Sequence, residues 1–270
     1  MEDSSNTEVP WLRMNLDEVP NPFWMAKQFG WCSDEAVKHL HAKREGSIWC
    51  DTPGHAKDYF TFVSTSTPTS MGVVAYLFKK NAPRGMKEVK AMQQKYNGKA
   101  IILREGTGYM SKELWNKRIL KEVEAPTLDR VGRKTRIWKG AGNGKATAFW
   151  DGCGGGGHDL DERGRKVLTD HEIGEIPLLS RTSGPSQPDD QLHFVYKARY
   201  FRNIRKALGR SGDILEDQKD NADEERTEIG NALRGLTIAK MVPASMDAWT
   251  SISLKNVLAA WMVTGNLTME

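Results

Sequence analysis

Cysteine and histidine side chains cluster near the start of the chain, where they could bind a metal ion. Thiolates and imidazoles are the usual zinc ligands, and four of them around one ion make a structural site. The five side chains of this group are Cys32, His39, His41, Cys50 and His55. Their spacing matches no zinc signature, and a helix predicted over residues 33–44 would point His39 and His41 to different faces. We therefore predict ordinary polar or half-buried side chains here and no metal site.

A glycine-rich loop, residues 152–157, is the second segment that could do chemistry. Its sequence Gly-Cys-Gly-Gly-Gly-Gly fits the pattern G-x-G-x-x-G, and Asp151 precedes it. Such a loop can bring its backbone close to a nucleotide or to adenosylmethionine. The spacing from Asp151 is off by one, and repeated strand–helix units are missing, so we interpret the loop as an interdomain connection. A methyltransferase-like enzyme that uses residues 151–157 is kept as an alternative.

Positive charge is concentrated in the central part of the chain. Residues 79–139 carry 17 Lys and Arg against 6 Asp and Glu, a net charge of +11, whereas the whole chain has a net charge of +4. The flanking segments, 1–78 and 140–190, are both acidic overall. A basic surface attracts polyanions such as nucleic acid phosphates or an anionic lipid leaflet, without sequence specificity.

The bulk composition is that of an ordinary globular protein. The 270 residues are 39% hydrophobic and 27% charged, enough for one large or two smaller domains. We see neither an apolar run long enough for a membrane-spanning helix nor a signal peptide. Three Cys, an odd number, argue against a disulfide framework and favour a reducing compartment.

Helical periodicity is strongest in the basic segment and at the C-terminus. Pro83 and Gly98 bracket an amphipathic helix, and a second helix should begin at Ser111 and end before Pro126. Ser251 or Ser253 should cap a last helix that ends at Gly265. The side chains expected to face inward on it are Leu254, Val257, Leu258, Trp261 and Met262.

Shorter segments are less clear. The apolar run Met71 to Phe78 is a buried helix or a buried strand, since periodicity does not separate the two. Strand-like patterns cover residues 58–63, 99–103 and 146–150. Residues 180–191 combine Ser, Pro, Gly and Asp without apolar periodicity, so we interpret them as a linker. No paired carboxylates can be singled out from the sequence.

Two stretches of the basic segment, with a third at the C-terminus, resemble the matrix proteins of orthomyxoviruses. In residues 71–98 the resemblance rests on Gly72, Phe78, Arg84–Gly85, Met92–Gln93 and Asn97–Gly98. In residues 110–124 it rests on Met110, Lys112, Leu114, Arg118, Leu120 and Lys121. The last helix, SLKNVLAAWMVTGN, is similar to the last helix of that family, and the chain length suits its thogotovirus branch. The resemblance implies that residues 71–78 form an apolar helix.

The chain also departs from this family. Ile119 and Glu122 interrupt the basic cluster through which its best-known members enter the nucleus, so nuclear import is left open. Their zinc-like Cys and His pattern is absent, since that region holds only Cys153, His158 and His171. No metal is therefore carried over.

From these observations and the resemblance we expect a mostly α protein with two helical domains. Residues 1–180 would form a multi-helix domain with a basic surface, and residues 192–270 a smaller helical oligomerisation domain. The resemblance implies a viral matrix protein, not an enzyme and without a cofactor, which assembles under the envelope and supports budding. Its expected partners are other copies of itself, anionic membrane, viral ribonucleoprotein, RNA and the tails of viral glycoproteins. Its expected locations are the virion, the host cytoplasm, the inner face of the plasma membrane and the nucleus.

Basic side chains would make the contacts to lipid or RNA. They are Lys79, Lys80, Arg84, Lys87, Lys90, Lys95, Lys112, Lys117, Arg118, Lys121, Arg133, Lys134 and Arg136. Lys and Arg near an anionic leaflet contribute about 1 kcal/mol each, so a single protomer would bind weakly and an assembled lattice strongly. An RNA-binding nucleocapsid protein is the first alternative.

Overall fold

Seven β-strands form one mixed sheet at the centre of the molecule. The computed structural model describes residues 13–22, 59–79, 86–104, 108–135, 146–151, 158–178, 186–207 and 237–267. The strands are β1 (Arg13–Pro22), β2 (Tyr59–Thr67), β3 (Ser70–Met71), β4 (Val74–Phe78), β5 (Ala100–Arg104), β6 (Ala146–Asp151) and β7 (Ile173–Leu178).

The strand order is β5-β4-β2-β1-β6-β7, and the short β3 pairs with β2. Strand β2 lies between β4 and β1 and is antiparallel to both. On either side of them the pairing is parallel: β5 adds to β4, β6 adds to β1, and β7 adds to β6. Strands β1 and β6 therefore run in the same direction, and their carboxyl ends lie at the same edge of the sheet.

Six helices of the described residues cover the sheet. They are α1 (Met86–Lys95), α2 (residues 112–135), α3 (Glu162–Asp170), α4 (Pro188–Ala207), α5 (Ile238–Thr250) and α6 (Leu254–Val263). Helix α2 begins at Lys112, is π-helical over Trp115–Glu124 and ends as the α-helical segment Ala125–Thr135.

Each face of the sheet buries its own apolar layer. On one face, α4, α5, α6 and Val89 of α1 pack on aromatic side chains of β2 and β4, and the Phe62 ring stacks on Tyr196 with centroids 4.5 Å apart. On the other face, α2 and α3 pack on β1, β4 and β6, with Trp115 buried against Trp150. Alternation along β1 sends Met14 and Leu16 to the α2 face and Val19 to the α4 face.

The prediction of a mostly α protein is wrong, because the centre of the fold is a mixed sheet. The prediction failed because two strands of this sheet, β2 and β1, are rich in polar residues. Residues 64–67 of β2 are Ser or Thr and fully buried, and their hydroxyls bond to protein groups inside the fold. Strand β1 contains Asp17, Glu18 and two prolines, and Pro20 and Pro22 lie beyond the part of β1 that pairs with β6. Strands of this composition look like loops in the sequence.

Several of the predicted elements are confirmed. Helix α1 lies between Pro83 and Gly98, and strands β2, β5 and β6 overlap the three strand-like segments. Ser111 caps α2 by accepting a bond from the Leu114 N–H, but the predicted end before Pro126 is wrong. Pro126 lies inside α2, directly after its π-helical part, and the helix continues past it although proline has no N–H to donate to the preceding turn.

The last helix is confirmed in its bounds and only partly in its inward face. Ser253 caps α6, and Gly265 follows it with a φ of 72°, the left-handed conformation that favours glycine at a helix end. Val257 and Trp261 are buried as predicted, whereas Leu254 and Met262 are exposed.

The resemblance to orthomyxovirus matrix proteins is wrong. It implies an apolar helix over residues 71–78, but these residues contain β3's end and the buried strand β4. The division into domains 1–180 and 192–270 stays a prediction. The helix predicted over residues 33–44 and its Cys and His side chains lie outside the described residues.

Candidate functional site

Two carboxylates meet at the edge where the parallel strands β1 and β6 end. Asn15 of β1 lies opposite Phe149 of β6, so continuing this register by two residues places Asp17 opposite Asp151. Both side chains point to the α4 face, because residues two apart along a strand share a face. Neighbouring strands are about 4.8 Å apart, which brings the two carboxylates close together.

Helix α4 supplies a third carboxylate to this edge. The helix begins at Pro188 and carries Asp189 and Asp190 in its first turn. Pro is suited to the first helical position, and acidic side chains are favoured near a helix N-terminus. The pKa of Asp190 is raised to about 6 by partial burial, then by the charge of Asp17 and a hydrogen bond with it, and by the charge of Asp151, while His193 opposes the shift. These influences show that Asp17, Asp151 and Asp190 act on one another; we call them the acidic triad.

His193 lies one turn further along α4 and faces the acidic triad. Its Nδ1 lies 3.2 Å from Oδ2 of Asp17 and 4.0 Å from Oδ1 of Asp190. One ligand atom from each of Asp17, Asp190 and His193 lies within 4.8 Å of the other two. The other ring nitrogen, Nε2, lies 2.8 Å from the Ser64 hydroxyl. The ring is buried, with a side-chain exposure of 6%.

Asp189, directly before Asp190, points the other way and anchors α4 to the sheet. Ser64 donates to its Oδ2 at 2.7 Å, and Ser66 donates to its Oδ1. The backbone N–H of Asp189 donates to Oδ1 of Asn15 at 2.9 Å, and Asn15 Nδ2 donates to the Phe149 carbonyl at 3.1 Å. This network joins β1, β2, β6 and α4. Burial raises the pKa of Asp189 to about 7, although His193 and the two serines oppose the shift.

His158 supports the same edge from the opposite face of the sheet. One ring nitrogen, Nδ1, lies 2.7 Å from the carbonyl oxygen of Asp151, and Nε2 lies 2.6 Å from Oε1 of Glu18. Burial lowers the pKa of His158, but the hydrogen bond and the charge of Glu18 outweigh it, so the net shift is upward. A charged imidazole donates at both nitrogens, and His158 therefore ties the end of β6 to β1 beside Asp17.

The acidic triad has the donors that a divalent cation needs. Carboxylate oxygens are the preferred ligands of Mg²⁺, Ca²⁺ and Mn²⁺. Oδ1 of Asp151 is buried and has no hydrogen-bond partner among the described residues, so it is free to coordinate. Asp17, Asp151 and Asp190 would hold the ion, because their mutual repulsion is relieved by a positive charge between them.

The basic residues predicted to bind lipid or RNA are scattered over other parts of the fold. Lys90, Lys95, Lys112, Lys117 and Lys121 are exposed, and Lys79 is half-buried. Arg118 pairs with Glu122, Lys112 lies 3.9 Å from Asp159, and Lys117 lies 4.0 Å from Glu113. Lys87, Arg133 and Lys134 lie in helices, but their side chains are not among those that the structure describes. Lys80, Arg84 and Arg136 lie outside the described residues. A role for these residues in binding stays a prediction.

Sequence reasoning missed the acidic triad because no local pattern joins its members: Asp190 lay in a predicted linker, Asp151 was considered only with the glycine-rich loop, and no element was predicted around Asp17. Asp190 lies in the stretch 180–191 that was predicted to be a linker, whereas α4 begins at Pro188. The signal that could have found it is the Pro-Asp-Asp sequence, a proline at the first helical position followed by acidic residues. The glycine-rich loop 152–157 lies outside the described residues, directly between Asp151 and His158.

These observations correct the functional predictions. Three predictions are wrong: the matrix-protein function, the non-enzyme assignment, and the membrane, lattice, glycoprotein and ribonucleoprotein partners. The resemblance behind them fails, and the fold brings an acidic triad together. The nucleocapsid and methyltransferase alternatives gain no support either. Within the described part of the chain, no helix has the length and apolar character to cross a membrane. The expected locations in virion and host cell stay a prediction.

Comparison with known proteins gives structural similarity alone. No family model and no curated protein matches the sequence. Solved structures similar to this chain include the Mos1 mariner paired end complex with Mn, with a TM-score of 0.38 and 8% identity over 93% of this chain and 56% of that one. The catalytic domain of Mos1 mariner transposase has a TM-score of 0.33 and 9% identity over 96% and 85%. A pre-cleavage Mos1 transpososome has a TM-score of 0.35 and 9% identity over 93% and 56%.

This chain thus spans about half the length of the first of these proteins. The similar structures are of a transposase, not of a matrix protein. At these scores and identities the likeness carries no argument about what this chain does.

Proposed function

We propose that this chain is a divalent-cation-dependent enzyme that breaks or transfers phosphodiester bonds in nucleic acid. The observation that carries the proposal is the acidic triad: Asp17 of β1, Asp151 at the end of β6 and Asp190 in the first turn of α4. Three carboxylates in one partly buried place repel one another, and burial together with that repulsion raises the pKa of Asp190 to about 6. A protein keeps such an arrangement at the expense of stability, which is typical of a functional site.

The chemistry that fits carboxylate ligands and a hard divalent cation is phosphoryl transfer. A bound cation polarises the phosphoryl oxygen and makes a water molecule a nucleophile near neutral pH. Asp17 on β1, Asp151 on the neighbouring strand and Asp190 in the first turn of α4 would hold such a cation. In hydrolysis, the water oxygen forms the new bond to phosphorus and the bond to the leaving nucleotide oxygen breaks. That oxygen takes up a proton from solvent.

The charge distribution supports a polyanionic substrate. The net charge of +11 over residues 79–139 would attract phosphates from a distance, and the acidic triad would otherwise repel them. Lys197 lies on α4, close enough to Asp190 and Asp17 that their charges oppose the lowering of its pKa by burial. Its ammonium group is placed to bind a phosphate next to the acidic triad.

An exposed aromatic ring lies between Asp190 and Lys197 on the same side of α4. Phe194 is 75% exposed, and residues at positions i, i+4 and i+7 of a helix form one stripe. Rings exposed in this way serve as stacking platforms for bases in single-stranded nucleic acid. The stripe Asp190, Phe194 and Lys197 therefore offers a cation ligand, a base contact and a phosphate contact in order.

The test is cleavage of end-labelled single-stranded and duplex DNA and RNA, with Mn²⁺ or Mg²⁺ and with chelator. We expect cation-dependent cleavage by the natural protein and a loss of at least about 100-fold in Asp17→Asn and Asp190→Asn. Asp170→Asn is the matched control, because Asp170 is exposed and, among the described residues, pairs with Lys166 at the end of α3. If the natural protein binds no divalent cation, or if Asp17→Asn cleaves as well as the control, the proposal is wrong.

A further inference from the structure

The imidazole ring of His193 joins the acidic triad to the buried anchor at Asp189. The ring is buried, and its two nitrogens have different surroundings. Nε2 lies 2.8 Å from the Ser64 hydroxyl, whereas Nδ1 faces Asp17 at 3.2 Å and Asp190 at 4.0 Å. The role of His193 therefore depends on which nitrogen carries the proton.

The hydrogen bonds of Ser64 decide that question. A hydroxyl has one proton, and the nearer of the two acceptors of Ser64 is Oδ2 of Asp189 at 2.7 Å, against 3.3 Å for the Asp17 carbonyl oxygen. The Ser64 oxygen then accepts from His193, so Nε2 carries the ring proton. In the neutral ring Nδ1 is left with a lone pair directed at Oδ2 of Asp17 and Oδ1 of Asp190. A lone pair facing carboxylate oxygens is unfavourable, and either a proton on Nδ1 or a metal cation between these atoms would remove the conflict.

We propose that His193 Nδ1 is a nitrogen ligand of the cation bound by Asp17 and Asp190, which makes the site prefer Mn²⁺ over Mg²⁺. This inference rests on the proposed function. Imidazole binds transition metals better than it binds Mg²⁺, which requires oxygen ligands and exchanges its water reluctantly. The three ligand atoms already lie within 4.8 Å of one another.

The surroundings of the ring match those of a metal-bound histidine. Such a histidine usually donates its second ring N–H to a group that leads to a carboxylate, which fixes both tautomer and orientation. Here Nε2 donates to Ser64, and Ser64 donates to Asp189. Asp189 is itself held by Ser66 and by Asn15, so the chain of contacts is rigid.

The test is electron spin echo spectroscopy of Mn²⁺ bound to the full chain, without substrate. A coordinated imidazole nitrogen modulates the echo, and we expect this nitrogen signal in the natural protein. It should disappear in His193→Asn, whose side-chain oxygen takes roughly the place of Nδ1. Competition titrations should show the preference for Mn²⁺ over Mg²⁺ falling by about 10-fold or more in the same variant.

His171→Asn is the matched control, because His171 is exposed at the end of α3 and should leave the nitrogen signal unchanged. Binding of Mn²⁺ by the natural protein without a nitrogen signal would overturn the role of His193 and leave the proposed function standing. No binding of Mn²⁺ at all would overturn both. The signal of the natural protein decides the matter even if His193→Asn does not fold.

Discussion

Ser64 of β2 donates a 2.7 Å hydrogen bond to Oδ2 of Asp189, the residue next to a member of the acidic triad. Two adjacent aspartates of one helical turn thus have opposite roles. Asp189 is fully buried and holds α4 on the sheet, whereas Asp190 faces Asp17 and stays partly exposed. The position of Asp190 therefore depends on a buried contact made by its neighbour.

Replacing Asp189 should change how stability depends on pH. Burial raises its folded pKa to about 7 from an ordinary value of 3.8, so the folded state binds the proton more tightly than the unfolded state. The free energy of unfolding should therefore fall as the pH rises from about 4 to about 7. Asp189→Asn removes the titration, and urea unfolding at several pH values should give a flatter profile. An unchanged slope, equal to that of Asp170→Asn, would contradict this assignment.

Asp190→Asn should stabilise the protein while it abolishes cation-dependent cleavage. Burial, and then repulsion by Asp17 and by Asp151, raises the pKa of Asp190 to about 6, so its charge is unfavourable in this place. An amide of the same shape removes that repulsion, so the Tm in chelator should rise at pH 8 and change less at pH 5, where the carboxyl is mostly protonated. Added Mn²⁺ should raise the Tm of the natural protein and not that of the variant. A lower Tm at pH 8 would show that Asp190 is structural.

Glu124→Gln should stabilise the protein at high pH. Both carboxyl oxygens of Glu124 are buried without a hydrogen-bond partner among the described residues. Burial, and then the charge of Glu175, raises its pKa well above the ordinary value. Ionisation therefore works against folding, and the Tm difference between variant and natural protein should grow from pH 6 to pH 9. A Tm difference independent of pH would contradict the buried, protonated state.

Gly164→Ala should destabilise the contact between α3 and α2. A Cβ at this position would overlap Oδ1 of Asn116, which accepts a bond from the Asp161 N–H at 2.9 Å. We expect a loss of about 1–3 kcal/mol in the free energy of unfolding, typical of overpacking a tight site. Gly174→Ala is the control, since the nearest atom to its Cβ would be a backbone oxygen at 3.8 Å. Equal losses in the two variants would show that α3 can move away.

Phe194→Ala should weaken binding of single-stranded nucleic acid without loss of stability. The ring is 75% exposed, so its removal takes little apolar area from the core. Loss of base stacking is expected to cost about 1–3 kcal/mol in binding. The change in binding affinity is measured by fluorescence anisotropy of labelled single-stranded nucleic acid, with Ca²⁺ as the cation. Val263→Ala is the control, because Val263 is exposed on α6. Binding equal to that of the control would place the substrate elsewhere.

The elements that could be predicted are those whose pattern is local. Helix α1 and the capped helices starting after Ser111 and Ser253 show a 3.6-residue period and a capping side chain. Strand β4 is an unbroken apolar run, so its burial was evident while its conformation was not. Strand β1 and the Ser/Thr half of β2 were missed, since Asn15, Ser64 and Ser66 are polar residues whose burial is compensated by partners far away in sequence.

The sequence by itself determined the helices with regular periodicity, the basic character of the centre and the carboxylate at each position. Only the tertiary structure decided that Asp17, Asp151 and Asp190 belong together. Asp17 is more than a hundred residues away from the other two, and the approach of the three depends on the parallel pairing of β1 with β6 and on the docking of α4 through Asp189. Local propensity carries no information about such pairing. The free energy of the pairing comes from burial and hydrogen bonds that exist only when the whole sheet has formed.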